Sequence, residues 1–503
     1  MKQIKEKLDI IFESRWAYLL IALIAFTFIL FFSTTTSIKY NQLGADSSVF
    51  RMMGYVITEG RVPYVDYFDH KGPILYFINA LGELISPRWG LFMLQVISCF
   101  FVILLWFKTA KLFLRPTYSF LSLLLSVAMW SGIYEYGNLT EEYSLLPSSL
   151  SIYFALSYLT KEKDTLPHPY WLSLIYGLCF GIMFYIRPND AVIQCGGVMM
   201  GIFLYIVFIQ KLYKNAIING LTFLFGFIII SLPIILYFYY NNALYDLYFG
   251  LLGFNLRYNG GVINNILTYR FTVALIALCA IPIILTYSSN NKKVLWILYP
   301  ITLLCVIFFG RNGFPHYYMS LMPAVFVISF TFLFLQRNKY LVAVVVILII
   351  MLPNRFGGRI PGFQYSDLSY TLIKSEIKAV ARGSLIQRTN KAFDETEKLF
   401  ALIPQDEKDS VWNYNDTFSG MFYHNKIIAQ NPVVPIVAYQ YKNFPDDKLS
   451  MLDITANRPL WIFFAKENNP YIFQKDSSFL ADNYEVIAKS DSTICSYFLL
   501  KRK

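Results

Sequence analysis

Asp46, Asp66, Asp69, His70 and Lys71 place three carboxylates, an imidazole and an ammonium within 26 residues. Three other segments repeat the combination. EYGNLTEEYS carries Glu135, Glu141 and Glu142; YIRPND carries Arg187 and Asp190; FFGRNGFPHYYMSLMP carries Arg311, His316, Tyr317 and Tyr318. Cations beside acids suit an anionic, phosphate-bearing ligand together with a base that accepts a proton. The plainer alternative is mutual pairing that only neutralises both sets. Singly, Asp46 also suits a helix N-cap, and Lys71 a lysine that snorkels to a membrane boundary. Asp66, Asp69 and His70 make at most a weak metal set. No HExxH or CxxC spacing occurs, nor GxxxxGK[ST] or a dinucleotide fingerprint, so neither a metal nor a nucleotide cofactor is expected.

The surroundings of these residues are apolar. Of 503 residues 56% are hydrophobic and 15% charged, with a mean hydropathy of +0.47. Soluble domains carry about 25% charge, so an ordinary soluble enzyme, a disordered chain and a disulfide scaffold are excluded. Crossing the hydrocarbon core takes about 20 apolar residues. Eleven runs qualify as candidates: 16–34, 90–107, 117–134, 145–160, 170–186, 191–210, 216–240, 271–288, 294–310, 317–335 and 340–353. With the N-terminus in the cytoplasm, the inside loops hold fifteen basic residues against five acids, and every inside loop has at least two. This positive-inside alternation accounts for most of the +11 net charge and removes the reason to invoke nucleic acid.

The expected architecture is therefore a polytopic α-helical membrane protein of about 11 transmembrane helices, residues 1–353, with a C-terminal extracytoplasmic α/β domain, residues 354–503. That domain reads as helices near 366–382 and 388–403 followed by strands at 411–415, 460–465, 484–488 and 495–500. The first outer loop, about 35–89, is long. Val49, Met52, Met53 and Val56 fall at helical spacing, as do Ile74, Phe77, Ile78, Leu81 and Ile85, so 49–60 and 74–85 read as interfacial amphipathic helices. Between them lies a polar hairpin with Asp66, Asp69, His70 and Lys71. Ionisable groups at membrane depth are costly and mark function by default. The spans themselves carry almost no charge, which argues against an ion-coupled transporter.

With that layout, GAD (44–46), PYVDYFDHKGPILYF (63–77) and HYYMSLMPA (316–324) together resemble the polyprenol-phosphate-sugar-dependent glycosyltransferases of the GT-C fold, glycosyltransferase family 39 in the broad sense, including protein mannosyltransferases and aminoarabinose transferases. Ser47 stands where many relatives have a second acid, and Gly72-Pro73 where they have a Pro pair. The resemblance implies sugar transfer from a polyprenyl-phosphate donor to an extracytoplasmic acceptor (a cell-envelope glycan, a lipid or a protein) by an inverting displacement. It implies Asp46 as base, with Asp69 and Glu142 as further catalytic acids. Lys71, Arg187 and Arg311 would meet the lipid phosphate, with His316, Tyr317, Tyr318, Asp66, His70 and Glu141 completing the substrate site. No cofactor and no metal are implied. The partners are the lipid-linked donor, the acceptor and membrane lipids; the place is a bacterial inner membrane. The competing readings are a lipid-linked glycan transporter, flippase or polymerase-like protein, and a non-catalytic scaffold or receptor.

Overall fold

The computed structural model describes residues 2–41, 44–161, 166–259, 266–309, 315–338, 340–344, 388–389, 391–414, 416, 419–431, 433, 453–465, 478–491 and 496–503. Helices dominate. In chain order they are α1 (Lys2–Glu13), α2 (Arg15–Phe32), α3 (Ala45–Thr58), α4 (Pro73–Ile85), α5 (Gly90–Lys111), α6 (Pro116–Ile133), α7 (Thr140–Lys161) and α8 (Tyr170–Phe184). Then follow α9 (Pro188–Gln210), α10 (Tyr213–Tyr240), α11 (244–259), α12 (Ile266–Ser288), α13 (Leu295–Phe308) and α14 (His316–Leu333).

Ten of the eleven expected spans coincide with helices; the last, 340–353, lies mostly outside the described residues. Among the described residues six helices are long and apolar enough to cross a membrane: α2, α5, α6, α9, α10 and α14. The others are shorter or, like α7 with Thr140, Glu141 and Glu142 in its first turn, more polar. α10 turns Leu221, Leu224, Phe225 and Ile228 outward, as a helix facing lipid does, whereas α14 is buried along 94% of its length.

The chain forms two compact units. One comprises Met1–Ser33, Met93–Tyr237 and Val262–Leu385. In it α7 packs on α8, α9 on α13, and α1 on α6, where Asp9 accepts from both the N–H and the hydroxyl of Thr117 at 2.9 and 2.7 Å. The other comprises Thr34–Phe92, Phe238–Gly261 and Ile386–Lys503. Within this second unit the long first loop is bonded to the C-terminal segment. Arg51 donates to Tyr423 Oη (3.0 Å), Tyr423 donates to Glu83 (2.8 Å), and Lys426 pairs with Glu83 (2.5 Å). Strand β1 (Tyr40–Asn41) also runs parallel to β2 (Arg388–Thr389).

The C-terminal segment folds as expected where it is described. Helix α15 (Lys391–Phe400) precedes a four-stranded mixed sheet of β3 (Val411–Asn413), β4 (Trp461–Ala465), β5 (Tyr484–Asp491) and β6 (Ser496–Arg502), in the order β3-β4-β6-β5. Trp412, Ile462, Phe464 and Leu500 fill one face. The expected helix at 388–403 starts later, since Arg388 and Thr389 are strand; the one at 366–382 lies outside the described residues.

Candidate functional site

Both amphipathic helices expected in the long first loop are present, as α3 and α4, and they pack on each other. The crossing is close. A Cβ on Gly54 would come within 2.7 Å of the Asn79 and Ala80 backbone, so only glycine fits there. The segment between them is not a polar hairpin. It is a turn lined with aromatics, in which Pro63 bridges to Tyr67, and Tyr64, Tyr67, Phe68 and Asp69 are buried. Aromatic and acidic residues alternate in YVDYFDH, so a run that reads as polar in sequence is largely buried in the fold.

Within that turn the expected residues separate by role. Asp46 is not an N-cap: Gly44 holds that position, and Asp46 sits part-buried in the first turn of α3. There its charge favours the helix N-terminus and acts on the His70 ring. Asp66 is a turn cap, accepting from the Val62 N–H at 2.6 Å. Asp69 accepts from Tyr76 Oη at 2.8 Å and faces His70 Nδ1 at 3.4 Å. Lys71 Nζ donates to His70 Nε2 at 2.9 Å. An ammonium has only protons to give, so the hydrogen-bond network assigns the ring proton of His70 to Nδ1, toward Asp69.

The backbone around Lys71 is fixed from both sides. Its N–H donates to Tyr76 Oη (2.9 Å), its carbonyl accepts from Tyr64 Oη (2.5 Å), and the His70 carbonyl accepts from Asn255 Nδ2 (2.8 Å). Phe254 lies against the imidazole, with ring centroids 5.0 Å apart. Burial alone would raise the Asp69 pKa, but the His70 bond, the His70 and Lys71 charges and the Tyr76 bond overcome it and hold the carboxyl at about 2. His70 moves down, first because burial disfavours its charged form and second because Lys71 is beside it. The result is a line, Asp69–His70–Lys71, of anion, neutral ring and cation. Among the described residues no carboxylate stands within 4.0 Å of the Lys71 ammonium.

The remaining expected residues belong to the other compact unit and do the opposite. Arg187 pairs with Glu141 and lies 3.6 Å from Asp190, with its guanidinium 4.4 Å over the Tyr317 ring. His316 pairs with Glu135 through Nδ1 and faces Glu141 at 3.9 Å through Nε2. Ser320 Oγ donates to Asp190 and Thr140 Oγ1 to Glu141, at 2.8 and 2.7 Å. Three carboxylates thus surround one guanidinium and one imidazole, so Arg187 is already neutralised. Mutual pairing describes this cluster. Tyr318 is buried, and Arg311 lies outside the described residues.

Glu142 is saturated. It accepts from Tyr134 Oη (2.5 Å), the Asn138 N–H (2.7 Å) and Gln95 Nε2 (3.0 and 3.1 Å). It closes a turn of four consecutive left-handed residues, Glu135, Tyr136, Gly137 and Asn138, with φ of 42, 68, 83 and 57°. That strained turn aims Glu135 at His316. Tyr76, Tyr64, Asn255, Gln95 and Tyr134 were absent from the sequence reading. Tyr64 and Tyr76 alone were signalled, by their places in the run PYVDYFDHKGPILYF.

Among the described residues, no group of three or more His, Cys, Asp or Glu could hold a metal ion.

The arrangement of α-helical spans, a long first loop with two helices and a C-terminal sheet defines a GT-C-type membrane fold. Among solved structures, ArnT from Cupriavidus metallidurans bound to undecaprenyl phosphate superposes with a TM-score of 0.58 at 11% identity, covering 96% of this chain and 97% of that one. The apo oligosaccharyltransferase of Archaeoglobus fulgidus gives a TM-score of 0.46 at 13% identity over 90% and 70% of the two chains. No protein-family model and no curated protein matches the sequence. The likeness to ArnT is one of fold.

Proposed function

We propose that the chain is a membrane glycosyltransferase that moves a sugar from a polyprenyl-phosphate donor to an acceptor hydroxyl on the extracytoplasmic side of a bacterial inner membrane. The observation that carries this reading is Lys71, a cation held in a buried, hydrogen-bonded turn with a neutral imidazole rather than a carboxylate as its partner. A fixed ammonium left unneutralised has charge available for a phosphate. The fold shared with ArnT, captured with undecaprenyl phosphate, supports the same ligand class.

In the proposed reaction the acceptor oxygen attacks the anomeric carbon as its proton passes to Asp46. The bond from that carbon to the phosphate oxygen breaks, and the lipid phosphate leaves with the electron pair beside Lys71. A single displacement inverts the anomeric centre. Lys71 supplies electrostatic stabilisation of the leaving group, commonly a large part of catalysis. Asp69 and His70 are positioning residues that set the Lys71 geometry. Glu142, Glu141, Arg187, Asp190 and His316 hold α7, α9 and α14 in register. The acceptor is a cell-envelope glycan, a lipid or a protein.

Asp46→Asn tests the reading. General-base help is worth about 100- to 10,000-fold, so transfer by the purified variant from polyprenyl-phosphate sugars should fall by that much while it still binds the lipid. Full transfer in this variant would remove Asp46 as base. Lipid binding without transfer in the wild-type protein, with envelope glycans unchanged in cells that lack it, would favour a transporter.

A further inference from the structure

Asn413 ends β3, and the turn after it is locked by side chains. Asn413 Oδ1 accepts from the Asp416 N–H (2.8 Å), and the Asp416 carboxylate accepts from the Met421 N–H (2.8 Å). Asn431 closes the turn from behind. Its Oδ1 accepts from the Asn413 N–H and its Nδ2 donates to the Asn413 carbonyl, at 2.8 and 3.0 Å. The turn holds Ser419 in a left-handed conformation, with φ of 54°. A residue with a Cβ is strained there, and glycine is the ordinary occupant. Serine in that place brings a hydroxyl instead. It is fully buried, lies 2.8 Å from Tyr67 Oη and accepts from Asn413 Nδ2 at 3.3 Å. Such strain is retained where the side chain is needed at that point.

Tyr67 belongs to the turn that carries Lys71, in the same compact unit as Ser419. Its carbonyl accepts from the Tyr64 N–H at 2.9 Å, and Tyr64 Oη donates to the Lys71 carbonyl at 2.5 Å. The next residue, Phe68, bridges to Val433, a second tie to the C-terminal segment. Hydrogen bonds thus link the end of β3 through Ser419, Tyr67 and Tyr64 to the Lys71 backbone. We propose that Ser419 is a positioning residue for the lipid phosphate: its hydroxyl fixes Tyr67, and through Tyr67 and Tyr64 it sets where the Lys71 ammonium stands. The inference rests on the reading that Lys71 meets that phosphate, and it gives the C-terminal segment a part in the site.

The test is equilibrium binding of undecaprenyl phosphate to the purified full chain, to Ser419→Gly, Tyr67→Phe and Lys71→Ala, and to Lys71→Ala combined with Ser419→Gly. Folded fractions are isolated by size-exclusion chromatography. Glycine accepts the left-handed conformation, so Ser419→Gly removes the hydroxyl without straining the turn. Ser419→Gly and Tyr67→Phe should each weaken binding about three- to tenfold, the range for one neutral hydrogen bond. In the Lys71→Ala background Ser419→Gly should weaken it no further, because the ammonium that Ser419 places is gone. A serine that only holds the fold together would cost the same with and without Lys71, and that result overturns the proposal. Wild-type affinity in Ser419→Gly and Tyr67→Phe, with Lys71→Ala impaired, overturns it alone. Unchanged affinity in Lys71→Ala overturns the reading of Lys71 and this inference with it. If Ser419→Gly does not fold, Tyr67→Phe in the two backgrounds decides.

Discussion

Asp69→Asn separates a carboxylate that positions a cation from one that merely fills a turn. In the wild-type protein Asp69 is buried and its pKa is lowered from 3.8 to about 2. A shift of one unit is worth about 1.4 kcal/mol, so the ionised carboxylate contributes on the order of 2 kcal/mol to stability at neutral pH. The sign follows from the depressed value. The contribution is whole above the unfolded pKa of 3.8 and is lost as pH falls toward 2. The asparagine variant should therefore be less stable by roughly 2 kcal/mol from about pH 5 to pH 8, with the difference closing below about pH 4.

The amide has a second consequence. The carboxylate accepts from Tyr76 Oη and presents its other oxygen 3.4 Å from His70 Nδ1, whereas an amide offers one acceptor and one donor end. With its donor end toward Nδ1, the ring proton moves to Nε2 and opposes the Lys71 ammonium, now 2.9 Å away. Transfer should fall about ten- to a hundredfold, the range for losing one charge-assisted bond. The assays are denaturation midpoints across pH and transfer rates at saturating lipid donor. A variant as stable as the wild-type protein at pH 7, or a stability difference that persists unchanged at pH 3, would refute the reasoning.

Two other substitutions test the scaffold. Glu142→Ala strands the buried donors of Gln95, Tyr134 and Asn138. At about 1–3 kcal/mol for each unsatisfied group, it should lower the melting midpoint sharply, while the folded fraction, isolated by size-exclusion chromatography, keeps its KM for donor. Gly137→Ala combines a φ of 83° with a Cβ placed 2.2 Å from Ser33 Oγ. It should cost more than about 1 kcal/mol, measured by denaturation, whereas Gly132→Ala, where the space is open, should not.

Periodicity and charge alternation made most of the architecture legible. The runs at 16–34 and 216–240 became α2 and α10, and the spacing of Val49, Met52, Met53 and Val56 announced α3. Strand-like runs such as LWIFFA became β4. Local sequence signals carry that much because helices and strands bury faces at fixed periods. The association of Arg51 and Glu83 with Tyr423 and Lys426 was illegible, since those groups meet across more than 300 residues. Residue type alone could not divide the charged residues either. Arg187 and Lys71 look alike as cations in loops, and only the surrounding groups show that Arg187 is paired with carboxylates while, among the described residues, Lys71 has His70 as its side-chain partner. Asp66 and Asp69, three residues apart, differ for the same reason: one caps the Val62 turn and the other backs a histidine.

The most direct measurement is equilibrium binding of a polyprenyl phosphate, without sugar, to the purified wild-type chain and to Lys71→Ala. A charged hydrogen bond contributes about 1.5–3 kcal/mol and each 1.4 kcal/mol is about tenfold in Kd, so the account predicts affinity about ten- to a hundredfold weaker in the variant, with Lys71→Arg recovering part of it. Unchanged affinity in a well-folded Lys71→Ala protein would contradict it.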